Sequence, residues 1–189
     1  KAIVLSNPTS EVTSKTGCWR SISQTKPRGG NATNTLVVLS QLGHKCHWTG
    51  VMVNEADKQL ISDDLANYDI RHDACLQVES GKLPTSYITV SQQTGSRTIV
   101  HMRDCPEYSF DHFKNIDLSR FDWLHFEGRN VEDCQCMLQH LKSQYPNLDY
   151  SLEIEKDRPG IDKLFQLAPV MFFSQQFAKQ RGFNDTAQL

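Results

Sequence analysis

Short apolar runs alternate with amphipathic stretches through the second half of this sequence, and that alternation limits the folds open to the chain. The apolar runs predict strands at 123–126, 150–154 and 170–173. Helices are predicted after each strand, at 131–141, at about 161–165, and from 175 to the residue before Gly182. Parallel strands need such crossovers, which are right-handed. The sequence therefore predicts an α/β fold with a mainly parallel sheet.

The first half adds two helices and a strand. One helix is predicted at 31–42 and ends at Gly43. A strand is predicted at 46–53, and Asn54 is placed to cap the helix that follows it. The apolar stripe of the first helix is Leu36, Leu39 and Leu42, and that of the second is Leu60, Ile61 and Leu65.

A change to two-residue alternation predicts a β-hairpin at 87–100. Its strands are 87–90 and 97–100, and its turn is 92–95. Because polar residues occupy alternate positions, we expect the hairpin to leave the main sheet as a small lid, with Ser23 and its neighbours as a partner strand. The lid strands are expected at about 13–27 and 83–102 of a single domain that covers the whole chain.

Two glycines and two asparagines stand at the start of the first predicted helix, in the segment Arg28-Gly29-Gly30-Asn31-Ala32-Thr33-Asn34. A backbone without Cβ at Gly29 and Gly30 can approach a ligand closely. Asn31 is a favourable N-cap, and Asn34 lies on the same helical face three residues later. Uncharged carboxamides donate and accept hydrogen bonds, which suits a sugar hydroxyl. The alternative is an ordinary tight turn that the asparagines cap.

Charged residues follow two strands of the second half. These cleft candidates are Glu127, Arg129, Asn130, Glu153 and Glu155. Ligands of parallel α/β sheets bind beyond the carboxyl ends of the strands, so we expect these two strand ends to face one cleft. One alternative is that Glu127 and Arg129 form an ion pair that only ends the strand. Another is that the side chains of Glu153 and Glu155 do not all reach the cleft, because alternate residues of a strand face opposite sides of the sheet.

Charge and composition argue against several partners. The chain carries a formal net charge of −2, so we expect no attraction to nucleic acid or to an acidic membrane surface. No apolar stretch reaches the roughly 20 residues that span a bilayer. The six cysteines are scattered as in proteins with reduced thiols, which favours a cytoplasmic location. The spacing of His44, Cys46 and His47, and of Cys134 and Cys136, does not predict a metal site.

Four segments in this order and spacing resemble the ribokinase-like (PfkB) carbohydrate kinases. They are residues 28–34, Gly95-Ser96-Arg97-Thr98-Ile99-Val100, Phe126-Glu127-Gly128-Arg129-Asn130 and Leu152-Glu153-Ile154-Glu155-Lys156. The resemblance runs from about Thr13 to Leu189. It implies a three-layer α/β sandwich with a mainly parallel sheet and a small β-sheet lid.

The resemblance also implies an activity. Members transfer the γ-phosphoryl group of ATP to a sugar hydroxyl with Mg²⁺, and here the acceptor would be a ketohexose such as fructose. By position, Gly29, Gly30, Asn31 and Asn34 would hold the sugar. Arg97 would meet the nucleotide phosphates, unless its charge only protects an exposed strand edge from aggregation. Glu153 or Glu155 would act on Mg²⁺ through water, and a homodimer through the lid strands is expected.

Two departures from the family bear on catalysis. The Gly-Ala-Gly-Asp segment, whose Asp is the general base and whose amides form an anion hole, is absent. Ala2-Ile3-Val4-Leu5 stands where the family supplies an Asp to the sugar. We therefore expect the chain to be truncated and inactive as it stands, because loss of a general base alone costs about 10²- to 10⁴-fold in rate. The alternative is a non-catalytic sugar-binding or dimerising relative.

Overall fold

A computed structural model of this chain describes residues 2–7, 21–183 and 185. The chain forms two compact units, Lys1–Pro106 and Glu107–Leu189. Both units combine strands with helices, which gives the α/β character that the sequence predicts. Cys18, and residues 13–20 of the expected lid strand, lie outside the described residues.

The first unit contains two sheets. Its elements are β1 (Ala2–Asn7), β2 (Ser23–Thr25), α1 (Asn31–Gln41), β3 (Val51–Val53), α2 (Lys58–Ala66), β4 (Leu76–Val78), β5 (Lys82–Ser91) and β6 (Arg97–Asp104). One sheet has the order β2-β1-β5-β6, in which β1 is antiparallel to β2 and parallel to β5. The other sheet is the parallel pair β3 and β4.

The predicted hairpin is confirmed, and it is longer than the alternation indicates. β5 and β6 pair antiparallel from Val90 opposite Arg97 to Lys82 opposite Asp104. The partner-strand prediction is wrong in one respect, because β2 pairs with β1, which lies between β2 and the hairpin. β1 is distant from both β2 and β5 in sequence, so no local pattern predicts that it lies between them in the sheet. That this sheet acts as a lid stays a prediction.

Three local predictions for the first unit are wrong. Leu42 follows the end of α1 and is 70% exposed, so it does not extend the apolar stripe. The strand predicted at 46–53 is limited to β3, because only three residues pair with β4. Asn54 does not cap α2, because that helix begins after Asp57. The Nδ2 of Asn54 instead donates to Glu79 Oε2 at 2.9 Å.

The second unit is built on a three-stranded parallel sheet. Its elements are α3 (Phe110–Phe113), β7 (Trp123–Glu127), α4 (Val131–Gln144), β8 (Asp149–Ile154), β9 (Val170–Phe173) and α5 (Gln175–Gln180). The strand order β7-β8-β9 follows the chain, and every pairing is parallel. The predicted strands and the helices at 131 and 175 are therefore confirmed, whereas the helix expected at 161–165 is one 3₁₀ turn, Ile161–Leu164.

Helix α4 supplies one wall of the core of the second unit. Its buried residues are Cys134, Met137, Leu138 and Leu141. They recur at the three- and four-residue spacing that places side chains on one helical face. That face packs with Leu152 and Ile154 of β8 in one apolar cluster. Glu132 and Asp133 in the first turn oppose the positive end of the helix dipole and favour its start after Asn130.

Two further findings concern the described part of the chain. No helix there is long and apolar enough to pass through a bilayer.

Five cysteines among the described residues are free thiols: Cys46, Cys75, Cys105, Cys134 and Cys136. Burial raises the pKa of Cys75 and that of Cys134 to about 12, so both remain protonated and unreactive at neutral pH.

Leu138→Ala and Leu42→Ala form a matched pair that tests this core. Leu138 is completely buried, so its truncation is expected to lower the free energy of unfolding by about 2–5 kcal/mol. The same change at exposed Leu42 is expected to lower it by less than about 0.5 kcal/mol. Urea denaturation followed by circular dichroism measures both, and equal effects would contradict the assignment of the core.

Candidate functional site

The Gly-Gly-Asn segment forms a loop with an internal hydrogen-bond network. Gly30 precedes α1 with φ +109°, a backbone conformation that favours glycine. A Cβ at Gly30 would lie 2.9 Å from Thr33 Oγ1. The Thr33 side chain is buried, and its hydroxyl lies 3.0 Å from both Gly29 O and Gly30 O, either of which can accept its proton. The loop therefore needs glycine at 30 and a hydroxyl at 33.

Arg28 stabilises this loop through hydrogen bonds to two of its side chains. Its side chain is only 8% exposed, and its Nε forms an ion pair with Asp64 on α2. Its Nη1 donates to Thr33 Oγ1 at 2.6 Å and to Asn34 Oδ1 at 3.0 Å. Sequence reasoning quoted Arg28 but gave it no role. Its partner Asp64 lies 36 residues away, so no local spacing could reveal the pair.

The asparagine pair is placed as predicted on the helix, but its capping role is wrong. Gly30 occupies the N-cap position, and its carbonyl accepts from Asn34 N at 3.0 Å. Asn31 is therefore the first helical residue and makes no side-chain cap. Both Asn31 and Asn34 are exposed, so their carboxamides are accessible to a ligand. That such a ligand binds there stays a prediction.

Arg97 begins β6, the edge strand of the four-stranded sheet. Its side chain is exposed, and its backbone lies opposite Val90. This position is accessible to an anionic ligand. It is also where a charged side chain discourages pairing with another strand, so both interpretations of Arg97 are compatible with its position.

The cleft candidates of the second unit meet at the carboxyl edge of its sheet. Glu127 of β7 lies directly opposite Glu153 of β8, and Gly128 N donates to Glu153 O at 2.8 Å. A Cβ at Gly128 would lie 3.1 Å from that same oxygen, so glycine permits the close approach. Arg129 Nε lies 3.9 Å from Glu127 Oε2, which makes the ion pair that the alternative interpretation proposed.

The remaining candidates take part in the packing of this edge. Asn130 Nδ2 donates to Asp133 Oδ2 at 2.6 Å, and Asp133 Oδ1 accepts from Phe110 N at 2.7 Å. Glu155 contributes its backbone carbonyl, which accepts from Ser174 Oγ at 2.5 Å. Ser174 also caps α5 by accepting from Phe177 N at 2.9 Å. Asn130 therefore orders the start of α4, and Glu155 lies beside the start of α5.

Sequence reasoning missed an ion-pair cluster in the second unit. Arg181 donates to both carboxylate oxygens of Asp157, at 2.8 and 2.7 Å, and to Asp162 Oδ2 at 3.1 Å. These hydrogen bonds raise the pKa of Arg181 above its usual range. The partners lie 19 and 24 residues before Arg181, which places them beyond any helical spacing.

His125 lies on the same face of β7 as Trp123 and Glu127. Its Nδ1 lies 2.8 Å from Ser151 Oγ, which accepts from Trp123 Nε1 at 3.0 Å. Because that hydroxyl has its own proton to donate, the arrangement suits a neutral imidazole that accepts at Nδ1. Burial lowers the pKa of His125, and the charge of Glu127 opposes that shift in part.

Across 2–7, 21–183 and 185, no three His, Cys, Asp or Glu side chains converge in a way that could hold a metal ion. The pair Glu127 and Glu153 therefore offers at most two carboxylates at one place.

Comparison with known proteins identifies the family. The model of the pfkB family carbohydrate kinase matches residues 6–176. This chain belongs to the PfkB carbohydrate kinases. It is 34% identical to ketohexokinase from Mus musculus over a 176-residue alignment, and the match covers 89% of this chain and 59% of that kinase. The resemblance found in four segments is thus confirmed, and the chain spans about three fifths of the length of the relative it matches.

Solved structures of PfkB-type kinases show the same fold. A ribokinase from Giardia lamblia matches with a TM-score of 0.77 at 12% identity, covering 97% of this chain and 58% of that one. A fructokinase from Xylella fastidiosa with bound ATP matches with a TM-score of 0.64 at 15% identity, covering 89% of this chain and 57% of that one. The predicted ribokinase-like α/β class is confirmed.

The lowered pKa of His125 predicts a pH dependence of stability. The unfolded chain binds a proton at this residue with a pKa near 6.5, whereas the folded protein binds it only at lower pH. The free energy of unfolding is therefore expected to fall as the pH drops below about 6.5, until the folded protein is also protonated.

His125→Gln is expected to flatten this dependence, and thermal unfolding between about pH 5 and pH 8 measures it. His44→Gln, at an exposed residue, serves as the control and should keep the wild-type profile. A His125→Gln profile as steep as that of the control would show that another group is responsible.

Proposed function

We propose that this chain binds a ketohexose such as fructose at Gly29, Gly30, Asn31 and Asn34, as the sugar-binding part of an ATP-dependent kinase. The observation that carries the proposal is the ordered loop itself: two exposed carboxamides at the start of α1, above a backbone that buried Arg28 and Thr33 stabilise. The 34% identity to mouse ketohexokinase supports fructose as the sugar to test first.

The chemistry of the loop suits a sugar. Carboxamides donate to hydroxyl oxygens and accept hydroxyl protons, so a pair of them can bind neighbouring hydroxyls without a net charge. The glycines leave room for the sugar to approach the backbone. Such buried and ordered supports keep donors and acceptors in place before the ligand arrives, which lowers the entropic cost of binding.

ATP and Mg²⁺ are the proposed cofactors, and the MgATP complex would supply the transferred phosphoryl group. Exposed Arg97 suits the nucleotide phosphates, because a guanidinium is permanently charged and its planar fork matches phosphate oxygens. Glu153 and Glu155 suit Mg²⁺, which prefers oxygen ligands and retains most of its waters. The position of Glu153 at the carboxyl end of β8, where parallel α/β sheets bind ligands, supports this assignment.

The sequence lacks one segment that the resemblance to the PfkB kinases assigns to phosphoryl transfer. The sequence holds no Gly-Ala-Gly-Asp segment to provide a general base and an anion hole. We therefore propose sugar binding for the chain as it stands, and catalysis for a protein that also contains such a segment. A non-catalytic sugar-binding relative is the second candidate, favoured by the same absence.

The exposed hairpin supports a homodimer. Its large exposed apolar side chains are Tyr87, Ile99, Val100 and Met102. Because β6 is also an edge strand, this surface combines apolar area with unpaired backbone groups, and both favour association. We propose that two copies associate through β5 and β6.

Val100→Asp tests the dimer, with Val38→Asp as its control. Both valines are largely exposed, but Val38 belongs to helix α1 and not to the hairpin. Sedimentation equilibrium should show a dimer for the wild type and for Val38→Asp, and a monomer for Val100→Asp. A monomeric wild type, or a dimer that survives Val100→Asp and is lost in Val38→Asp, would overturn the proposal.

A cytoplasmic location is also proposed. Its support is the set of five free thiols among the described residues, since oxidising compartments favour disulfides. Subcellular fractionation tests it directly.

Asn31→Ala and Asn34→Ala test the sugar site. Each is expected to weaken fructose binding by about tenfold, because each removes one hydrogen-bonding side chain. Asn147→Ala, at an exposed turn of the second unit, is the control and should keep wild-type affinity. Isothermal titration calorimetry measures binding, and release of ADP from ATP in the presence of fructose measures catalysis.

The outcomes separate the two candidate functions. Fructose binding with fructose-dependent ADP release supports the kinase. Fructose binding without ADP release supports the non-catalytic relative. Absence of fructose binding, or binding that both asparagine variants retain, would refute the sugar site.

A further inference from the structure

We propose that Arg28 is a positioning residue that fixes the carboxamide of Asn34 so that its amide nitrogen, and not its oxygen, faces the ligand. The inference rests on the proposed sugar site and adds a rule of specificity to it. At Asn34 the amide nitrogen is the group left without a protein partner among the described residues, whereas the oxygen already accepts from Arg28, so we expect the sugar to present an accepting oxygen there.

The orientation follows from the chemistry of the two side chains. A guanidinium has five N–H donors and no acceptor, so the group of Asn34 that lies 3.0 Å from Arg28 Nη1 has to be the carboxamide oxygen. The amide nitrogen is then the group on the other side of the carboxamide. Asn34 is exposed, and among the described residues its Nδ2 has no hydrogen-bond partner.

Arg28 is itself held firmly enough to impose this orientation. Its side chain is more than nine-tenths buried, with Nε paired to Asp64 and Nη1 shared between Thr33 and Asn34. Thr33 is buried as well and is bonded to the glycine carbonyls. Rotation of the Asn34 carboxamide would place its amide protons against those of the guanidinium, leaving donors without acceptors, which is unfavourable.

Asn31 provides a contrast within the same site. Its side chain is exposed, and no hydrogen bond to it is found among the described residues. Its carboxamide can therefore rotate to donate or to accept, according to the ligand. The site thus combines one fixed donor with one adaptable group, and the fixed donor determines which sugar oxygen is recognised as an acceptor.

Fructose analogues with one hydroxyl replaced by fluorine or by hydrogen test whether the Asn34 side chain donates a hydrogen bond to the sugar. Fluorine accepts a hydrogen bond weakly and never donates one, whereas a deoxy position does neither. At the hydroxyl that meets Asn34, wild-type protein should bind the fluoro analogue several-fold more tightly than the deoxy analogue. Calorimetry across the panel identifies that position.

Three variants test the role of Arg28. Arg28→Met removes the donors, and is expected to abolish the fluoro preference and to weaken fructose binding by about tenfold. Asn34→Asp keeps an acceptor for Arg28, so its melting temperature should match the wild type while the fluoro preference disappears. Lys26→Met is the control, since Lys26 lies two residues before Arg28 and forms an exposed ion pair with Asp57, and its loss should change neither quantity.

Each result decides the inference. If Arg28→Met binds fructose with wild-type affinity and preference, the inference is wrong. If Arg28→Met does not fold, Arg28→Lys replaces it, and its single ammonium should reduce the fluoro preference; an unchanged preference would overturn the inference.

Failure of the proposed function is recognised separately. If wild-type protein does not bind fructose, the sugar site is refuted, and the orientation is then tested in ligand-free protein by NMR. The side-chain amide resonances of Asn34, assigned by their loss in Asn34→Asp, should shift in Arg28→Met and stay in place in Lys26→Met. Resonances that do not shift in Arg28→Met would refute the orientation itself.

Discussion

The buried guanidinium of Arg28 is the interaction on which the candidate sugar site depends. It joins the loop before α1 to Asp64 on α2, and it also bonds Thr33 and Asn34 within the loop. Without it, Gly30 could adopt many backbone conformations, because glycine loses more freedom on folding than any other residue. A charged side chain that is 8% exposed needs such partners, and here they are the carboxylate of Asp64 and the side chains of Thr33 and Asn34.

In the second unit, strand pairing and hydrogen bonds at the helix starts position the residues at the carboxyl edge of the sheet. Parallel pairing places Glu127 beside Glu153, and the backbone of Gly128 continues the pairing one residue further. Asp133, which accepts from Asn130, and Ser174, which accepts from Phe177, then order the starts of the two helices that leave this edge. Acidic residues thus lie at the carboxyl edge of the sheet, the edge at which parallel α/β sheets bind ligands.

Elements with a strong local pattern were predictable. The hairpin follows from two-residue alternation, the three parallel strands from short apolar runs, and helix α4 from the three- and four-residue spacing of its buried side chains. Predictions failed where a neighbour in space decided the outcome. Leu42 fits the apolar stripe of α1, yet the helix ends before it and nothing covers 70% of its surface. Strand β2 pairs with β1 and not with the hairpin, a choice that no local spacing encodes.

The sequence by itself determined the α/β class, the family and the residues available for the site, because these depend on periodicity and on motifs that are local in the chain. Only the tertiary structure decided how those residues are presented. The orientation of Asn34 depends on Arg28, and the position of Arg28 depends on Asp64, 36 residues further along the chain. A hydrogen bond between such distant residues exists only after folding has brought them together, so composition and spacing cannot contain it.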